Sequence, residues 1–246
     1  MIQEFVFLPT PMNLILLFDD DFLTPSSVRL TGRRALHVAS VHRSRPGESL
    51  IVGLANGKLG EGQVQYVDAD RVDLKVRFTR DPPPALPCTL VLALPRPKVL
   101  NRVVASAVAF GVKRIFLINA WRVEKSYWGS ARLSESNLRL QSALGLEQAG
   151  DTVMPQIETR RLFRAFVEQE LPSIAAGTLA LVAHPGASAS APREVTGPMT
   201  LAIGPEGGFI TAEVESLIAA GFLPVTLGPR VLRVETAVAA LLGRMS

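Results

Sequence analysis

The sequence predicts an α/β domain with a largely parallel sheet, preceded by a smaller β-rich domain. Short segments that alternate apolar and polar residues at period two occupy much of residues 29–79, which is typical of strands. Residues 81–87 contain four prolines and predict a stiff linker, because proline fits neither a helix interior nor a central strand. Beyond the linker, strand-like runs alternate with helical segments, the pattern of a parallel sheet covered by helices. We therefore predict domains at residues 1–80 and 88–246.

Composition excludes several classes of protein. The chain has 246 residues, of which 48% are hydrophobic, enough for a sizeable core and unlike a disordered chain. One cysteine cannot form an internal disulfide, and with three scattered histidines it offers no metal-ligand spacing. No apolar run reaches the length of a membrane span, and no secretory signal is evident at the N-terminus. We expect a cytoplasmic protein with neither a metal nor a membrane partner, and we assign no function to residues 1–11.

The first domain is predicted to hold three strands and one helix. The strands are expected at residues 49–54, 63–67 and 72–78, and the helix at 31–40. The Asn56-Gly57 pair is a strong hairpin-turn signal. Five arginines and no acidic residue lie between residues 22 and 47, a cluster able to neutralise phosphates. A solvated basic face is the alternative interpretation.

The second domain is predicted to alternate strands with helices. Strands are expected at residues 90–94, 114–118, 179–183, 199–203 and 225–227. Helices are expected at residues 98–110, 134–149, 159–170, 211–220 and 234–245. A second basic cluster, with eight basic residues against one acidic residue, covers residues 96–132.

Two glycine turns follow the last two predicted strands. Gly204-Pro205-Glu206-Gly207-Gly208-Phe209 comes after the first and Gly228-Pro229-Arg230 after the second. Glycine lets the backbone adopt positive φ and approach a ligand closely. Ligands of open α/β sheets bind at the carboxyl edge, so the turns predict a binding site lined by main chain. An ordinary pair of strand-to-helix turns would have the same spacing.

The amino-acid sequence of these two turns resembles that of a known protein family. GPEGG followed by LGPRVLRVETA resembles the 16S ribosomal RNA uracil-N3 methyltransferase family (RsmE type) of the SPOUT superfamily. The resemblance implies a SPOUT-type parallel sheet with a C-terminal trefoil knot, a small PUA-like β-barrel before it, a homodimer, and 16S ribosomal RNA as substrate. It also implies S-adenosyl-L-methionine bound in the knot by residues 181–185, 203–209 and 227–233.

The resemblance assigns the cofactor-binding candidates, and the two basic clusters supply the RNA-binding candidates. The cofactor-binding candidates are Leu181, Ala183, His184, Ile203, Gly204, Pro205, Glu206, Gly207, Gly208, Leu227, Gly228, Arg230, Val231, Leu232, Arg233 and Thr236. The candidate RNA-binding residues are Arg29, Arg33, Arg34, His37, Arg43, Arg45, Arg96 and Lys98.

Uracil N3–H must lose its proton before or during methyl transfer, by a general base or by a cation that stabilises the developing enolate. Arg230 and Arg233 are the catalytic candidates for the cationic role, since guanidinium stays charged and offers a planar fork of donors. Glu206 is the candidate that accepts the proton or orients an arginine. Glu235 could do the same, although a salt bridge is the favoured interpretation, and His184 is expected to form a wall of the adenine pocket.

Two departures from the family pattern fall on its RNA side. Residues 105–111 lack the polar groups that the family carries there, and Asp151 stands where an arginine is typical. An acidic group facing RNA would repel phosphates. Two alternatives therefore stay open: a SPOUT methyltransferase with a different RNA target, and a non-catalytic RNA-binding or assembly factor of the same fold.

Overall fold

A computed structural model describes residues 14–246, which form two compact units. The first comprises residues 14–82 together with Gly150–Thr152, and the second comprises Pro83–Ala149 and Val153–Ser246. Residues 1–11, to which no function was assigned, lie outside the described part of the chain. Among the described residues, no helix combines the length and apolar character needed to span a membrane.

The first unit contains a six-stranded sheet of order β1-β4-β5-β6-β3-β2. Its strands are β1 (Ile15–Leu17), β2 (Phe22–Thr24), β3 (Ser27–Thr31), β4 (Ser49–Leu54), β5 (Leu59–Val67) and β6 (Arg71–Arg80). Neighbouring strands run antiparallel, except that β1 pairs with β4 in parallel. The helix α1 (Gly32–His37) continues into a π-helical turn at Val38–His42.

Alternation along the strands builds the core of the first unit. On β6, Val72, Leu74 and Val76 are buried, while Lys75 and Arg77 are exposed, as period two requires. The predicted hairpin turn between β4 and β5 is confirmed: Asn56 adopts φ 59°, and the N–H of Gly57 donates to the carbonyl of Leu54 at 2.8 Å.

The second unit is an α/β fold on a parallel sheet of order β12-β10-β11-β7-β8-β9. The strands are β7 (Leu86–Ala93), β8 (Val112–Ile118), β9 (Gln156–Arg160), β10 (Leu179–Ala183), β11 (Met199–Ile203) and β12 (Leu223–Val225). The helices are α2 (Pro97–Ala109), α3 (Glu135–Ala149), α4 (Phe163–Ala165), α5 (Leu171–Ala175), α6 (Thr211–Ala219) and α7 (Val234–Met245). The sheet core reads as nearly continuous apolar runs because central parallel strands are covered on both faces.

Several boundaries differ from the sequence prediction. Residues 156–160, which were not predicted as a strand, form β9, and the helix predicted from residue 159 begins at residue 163. β9 is an edge strand with mixed polar composition, so its sequence carries no apolar run that marks a strand. Leu86 and Pro87, assigned to the linker, already belong to β7, since proline is tolerated near the start of a strand. The last strand, β12, lies two residues earlier than expected.

Candidate functional site

A cavity of about 310 Å³ lies within the second unit, where β10, β11 and β12 end. These strands carry three loops that meet at the carboxyl edge of the sheet, the usual ligand site of open parallel sheets. The lining residues are Arg122, Ala183, His184, Pro185, Ile203, Gly204, Pro205, Glu206, Gly207, Gly208, Phe209, Val225, Thr226, Leu227, Arg230, Val231, Leu232, Val234, Ala237 and Leu241.

The loop after β11 is built so tightly that only glycine fits at its first position. A Cβ added at Gly204 would lie 2.8 Å from the backbone nitrogen of Phe209 and 3.1 Å from the Cα of Gly208. The turn is closed by Gly208, which adopts φ 70° and donates its N–H to the carbonyl of Pro205 at 2.7 Å. The main chain therefore forms this wall of the cavity directly.

The loop after β12 folds back through the side chain of Thr226. Its hydroxyl donates to the carbonyl of Gly228 at 3.0 Å and accepts from the N–H of the same residue at 3.2 Å. Gly228 adopts φ 126°, a conformation that side-chain-bearing residues rarely take. This turn carries the chain past Arg230 and Val231, which line the cavity, to the start of α7.

The carboxylates near the cavity have different partners. Glu206 is exposed, and its Oε1 accepts the backbone N–H of Arg96 at 2.9 Å. Glu235 pairs with Arg102 at 3.1 Å, the structural role that the sequence favoured for it. His184 also lines the cavity, and its backbone N–H donates to the carbonyl of Val225 at 2.9 Å.

The structure brings most, but not all, of the cofactor-binding candidates around this cavity. Among the catalytic candidates, Arg230 and Glu206 line it and Arg233 does not. The other candidates absent from the lining are Leu181, Gly228 and Thr236. Leu181 lines a separate cavity beside β12, while Gly228 acts through backbone geometry.

The sequence analysis did not select Arg122 or the nearby Glu213, and it also missed five further residues that line the cavity: Val225, Thr226, Val234, Ala237 and Leu241. The side chain of Arg122 lines the cavity and donates to the carbonyl of Gly207. Glu213 is 6% exposed, and its carboxylate accepts N–H groups from Trp121 at 2.7 Å and from Ile210 at 3.0 Å. An acid three residues after a helix N-cap was the one local signal that could have indicated the second bond. The bonds from residues 121 and 122 depend on tertiary structure.

Two of the candidate RNA-binding arginines of the first unit form ion pairs with aspartates. Arg34 forms a two-pronged ion pair with the buried Asp21, at 2.5 and 2.6 Å, and also donates to the carbonyl of Leu16 at 2.8 Å. Arg29 pairs with Asp73 at 2.8 Å. The guanidinium of Arg29, followed by that of Arg71, holds the pKa of the Asp73 carboxyl well below its usual range. Arg29 and Arg34, which the sequence analysis predicted to bind RNA, are therefore engaged in ion pairs within the unit.

The remaining RNA-binding candidates are exposed, except for one that is half-buried. Arg33, Arg43 and Arg45 are exposed, and Arg43 adopts φ 52° just after the π-helical turn. His37, the last residue of α1, is half-buried. In the second unit, two more candidates are exposed at the beginning of α2, namely Arg96 and Lys98.

The two departures from the family pattern have structural explanations. Asp151 is 2% exposed and accepts the backbone N–H of Thr152 at 2.6 Å, so the expectation of an acidic group facing RNA is corrected. The apolar stretch at residues 105–111 lies where α2 packs closely on α3. A Cβ added at Gly145 would lie only 2.5 Å from the carbonyl oxygen of Ala105.

A metal centre finds no support in the described residues. Within residues 14–246, no group of three or more histidine, cysteine, aspartate or glutamate side chains is placed to hold a metal ion. The lone cysteine, Cys88, is buried in β7.

Comparisons with known proteins agree on one family. The profile of the RNA methyltransferase domain matches residues 82–246. The chain is 31% identical over 222 residues to ribosomal RNA small subunit methyltransferase E of Mycobacterium bovis, covering 86% of this chain and 83% of that protein. It is 27% identical over 236 residues to the protein of the same name from Treponema pallidum, covering 93% and 88%.

Solved structures have the same fold. A ribosomal RNA small subunit methyltransferase E from Neisseria gonorrhoeae, bound to S-adenosyl methionine, superposes with a TM-score of 0.72 at 22% identity, over 94% of this chain and 95% of that one. A Legionella pneumophila methyltransferase, in complex with its cofactor SAM, superposes with a TM-score of 0.70 at 25% identity, over 93% and 95%. The chain belongs to the RNA methyltransferase family of the ribosomal RNA small subunit methyltransferase E type.

Proposed function

We propose that this protein transfers a methyl group from S-adenosyl-L-methionine to N3 of a uridine in 16S ribosomal RNA. The observation that carries the proposal is the cavity at the ends of β10, β11 and β12, walled by glycine main chain, in a chain of this family. Relatives named as ribosomal RNA small subunit methyltransferases, and structural neighbours solved with the cofactor, support the reaction class.

The residues present fit the cofactor. The cavity reaches the size at which proteins hold small organic ligands, and its wall combines apolar side chains with bare backbone. Leu227, Val231 and Leu232 offer an apolar surface for an adenine ring, while the main chain of residues 203–209 offers hydrogen-bonding groups. When bound, S-adenosylmethionine supplies a methyl group activated by a positively charged sulfur.

The protein's task is then to place the uracil and remove its N3 proton. Arg230, on the cavity wall, stabilises the negative charge that develops on a uracil carbonyl oxygen as the proton leaves. Glu206 is the group that accepts the proton, because it lines the cavity and its Oε1 is held by the N–H of Arg96. Arg233 is exposed between two lining residues, Leu232 and Val234, and we assign it a cationic role toward the substrate at the rim of the cavity.

RNA binding is assigned to exposed cations in both units. In the first unit the cations are Arg33, Arg43 and Arg45, whereas Arg29 and Arg34 support the unit through their ion pairs. In the second unit Arg96 and Lys98 are exposed beside the cavity, where they can contact phosphates flanking the target nucleotide. We assign residues 1–80 to a PUA-like RNA-binding domain, 81–87 to a linker and 88–246 to the catalytic domain.

The trefoil knot and the homodimer are part of the same proposal. Support for the knot comes from the segment before β11, which is tied to the C-terminal end of α7. The N–H of Val195 donates to the carbonyl of Met245 at 2.9 Å, and Nε of Arg244 donates to the carbonyl of Ala191 at 2.8 Å. These bonds hold the end of the chain against a loop, as a threaded C-terminal segment requires.

Two measurements test the function. Calorimetry with S-adenosylmethionine and the purified protein should give saturable binding, and no binding at millimolar ligand would favour the non-catalytic assembly factor. Mass mapping of 16S ribosomal RNA from a deletion strain should show one uridine without its methyl group, restored by the intact gene. If binding is normal and that uridine is unchanged, the enzyme has a different RNA target.

A further inference from the structure

Trp121 is a large aromatic side chain that the second unit leaves in solvent. It is 79% exposed, although tryptophan is usually well buried because of its large apolar surface. It directly precedes Arg122, whose side chain lines the cavity. An exposed indole next to a ligand cavity is a candidate contact for the part of a larger substrate that extends outside the cavity.

The backbone of Trp121 is held firmly despite the exposure of its ring. Its N–H donates to Oε1 of the buried Glu213 at 2.7 Å, and the following residue, Arg122, donates to the carbonyl of Gly207 in the loop after β11. The N–H of Asn119 is tied to the carbonyl of Arg160 at 2.9 Å. The ring is therefore presented from a positioned backbone, which lowers the entropy lost when a ligand stacks on it.

The segment that carries Trp121 also carries cations and a second tryptophan. Trp128, in the same segment, donates from Nε1 to Asn119 at 2.9 Å, and the guanidinium of Arg161 lies 5.3 Å from the centre of its ring. The exposed cations of this segment are Arg122, Lys125 and Arg132, against one exposed acid, Glu124, and Arg161 is exposed directly after β9. Stacking rings among cations are the features with which proteins bind single-stranded nucleic acid.

We propose that Trp121 is a stacking platform for a nucleobase of single-stranded RNA beside the methyl-donor cavity. The proposal rests on the proposed function and names how the RNA strand is positioned at that site. A second copy of the chain is a less suitable occupant. In a two-fold interface the basic surface around Trp121 would face its own like charges, which disfavours association.

Fluorescence tests the platform directly. The chain has two tryptophans, so in Trp128→Phe the emission reports on Trp121 alone. A single-stranded oligoribonucleotide of roughly ten nucleotides should quench this emission, while a duplex of the same length should not, because its bases are already stacked. Quenching is expected to be sequence-tolerant. If Trp128→Phe does not fold, the same titration of Trp121→Phe against the wild-type protein isolates the signal of Trp121 by difference.

Substitution separates stacking from mere apolar contact. Trp121→Leu should weaken binding of the single-stranded oligonucleotide by roughly 5- to 150-fold, and Trp121→Phe should restore most of the affinity because it keeps an aromatic face. Affinity for S-adenosylmethionine should not change in either variant. Leu223→Ala, an exposed apolar position on β12, is the matched control and should bind RNA like the wild type.

The outcomes distinguish this proposal from the proposed function. Wild-type RNA affinity in Trp121→Leu, or equal losses in the leucine and phenylalanine variants, would overturn the platform. So would a change in the oligomeric state of Trp121→Leu by ultracentrifugation that accounts for its loss of RNA binding, since Trp121 would then serve a protein interface. If the ribosomal uridine is not methylated but Trp121 is still quenched by single-stranded RNA, the proposed function fails and the platform stands.

Discussion

The carboxylate of Glu213 joins two segments by accepting the backbone N–H of Trp121 at 2.7 Å. Its second oxygen accepts the N–H of Ile210 at 3.0 Å, at the start of α6. One buried acid therefore connects the loop after β8 with the helix that follows the GPEGG turn. The loop after β8 contributes Arg122 to the cavity, and the GPEGG turn contributes residues 204–209.

Glu213→Ala should destabilise the protein by roughly 2 kcal/mol, because two N–H groups lose their acceptor in a buried environment. Glu213→Gln should lose less, since its single amide oxygen can still accept one of the two bonds. Denaturant unfolding measures both variants. The control is Glu215→Ala, an exposed position on the same helix, which should be nearly neutral. Equal stability of Glu213→Ala and Glu215→Ala would contradict the bridging role.

Gly204→Ala should weaken binding of S-adenosylmethionine and reduce stability by roughly 1–3 kcal/mol, since the new methyl group overlaps the backbone of residues 208 and 209. Calorimetry and thermal unfolding measure the two effects. Gly197→Ala provides a matched control, because an added Cβ there meets nothing within 4 Å. Undiminished cofactor affinity in Gly204→Ala would show that the turn does not form the ligand wall.

Arg34→Ala should act on stability rather than on RNA affinity alone. Removing the guanidinium leaves the buried Asp21 carboxylate without its cation, which costs roughly 3 kcal/mol for a buried pair. Arg45→Ala is the comparison, because it removes an exposed cation and should lower RNA affinity with little change in unfolding. A fully stable Arg34→Ala with weakened RNA binding would restore Arg34 to the RNA surface.

Cys88 should be unreactive in the folded protein over the neutral pH range. Burial raises the pKa of its thiol from 9.0 to about 12, and the thiolate is the reactive form. Because the folded-state pKa is the higher one, the stability contributed by the neutral thiol is present below pH 9 and is lost as the pH rises toward 12. Alkylation by iodoacetamide at pH 8 should modify the thiol only after denaturation. Rapid modification of the native protein would contradict the burial.

Local sequence patterns were sufficient to predict the bounds of helices and strands that are apolar or regularly periodic. The strands at residues 179–183 and 199–203 and the helix at 234–245 have the predicted bounds. The edge strand β9 was missed because its residues are polar and its partner, β8, lies about forty residues earlier in the chain. Asp151 was expected to face RNA, since no local pattern reveals that a charged residue between two elements becomes buried.

By itself the sequence determined the alternation of strands and helices, the two glycine turns and the family, because each depends on residues close together in the chain. Tertiary structure alone decided which charged and aromatic side chains are used inside the fold and which can contact a ligand. It paired Arg34 with Asp21, placed Arg122 on the cavity wall and left Trp121 exposed beside it. The physical reason is that hydrogen bonding and desolvation depend on which groups meet in space, and such partners are separated by as many as 133 positions in the chain, as for Arg102 and Glu235.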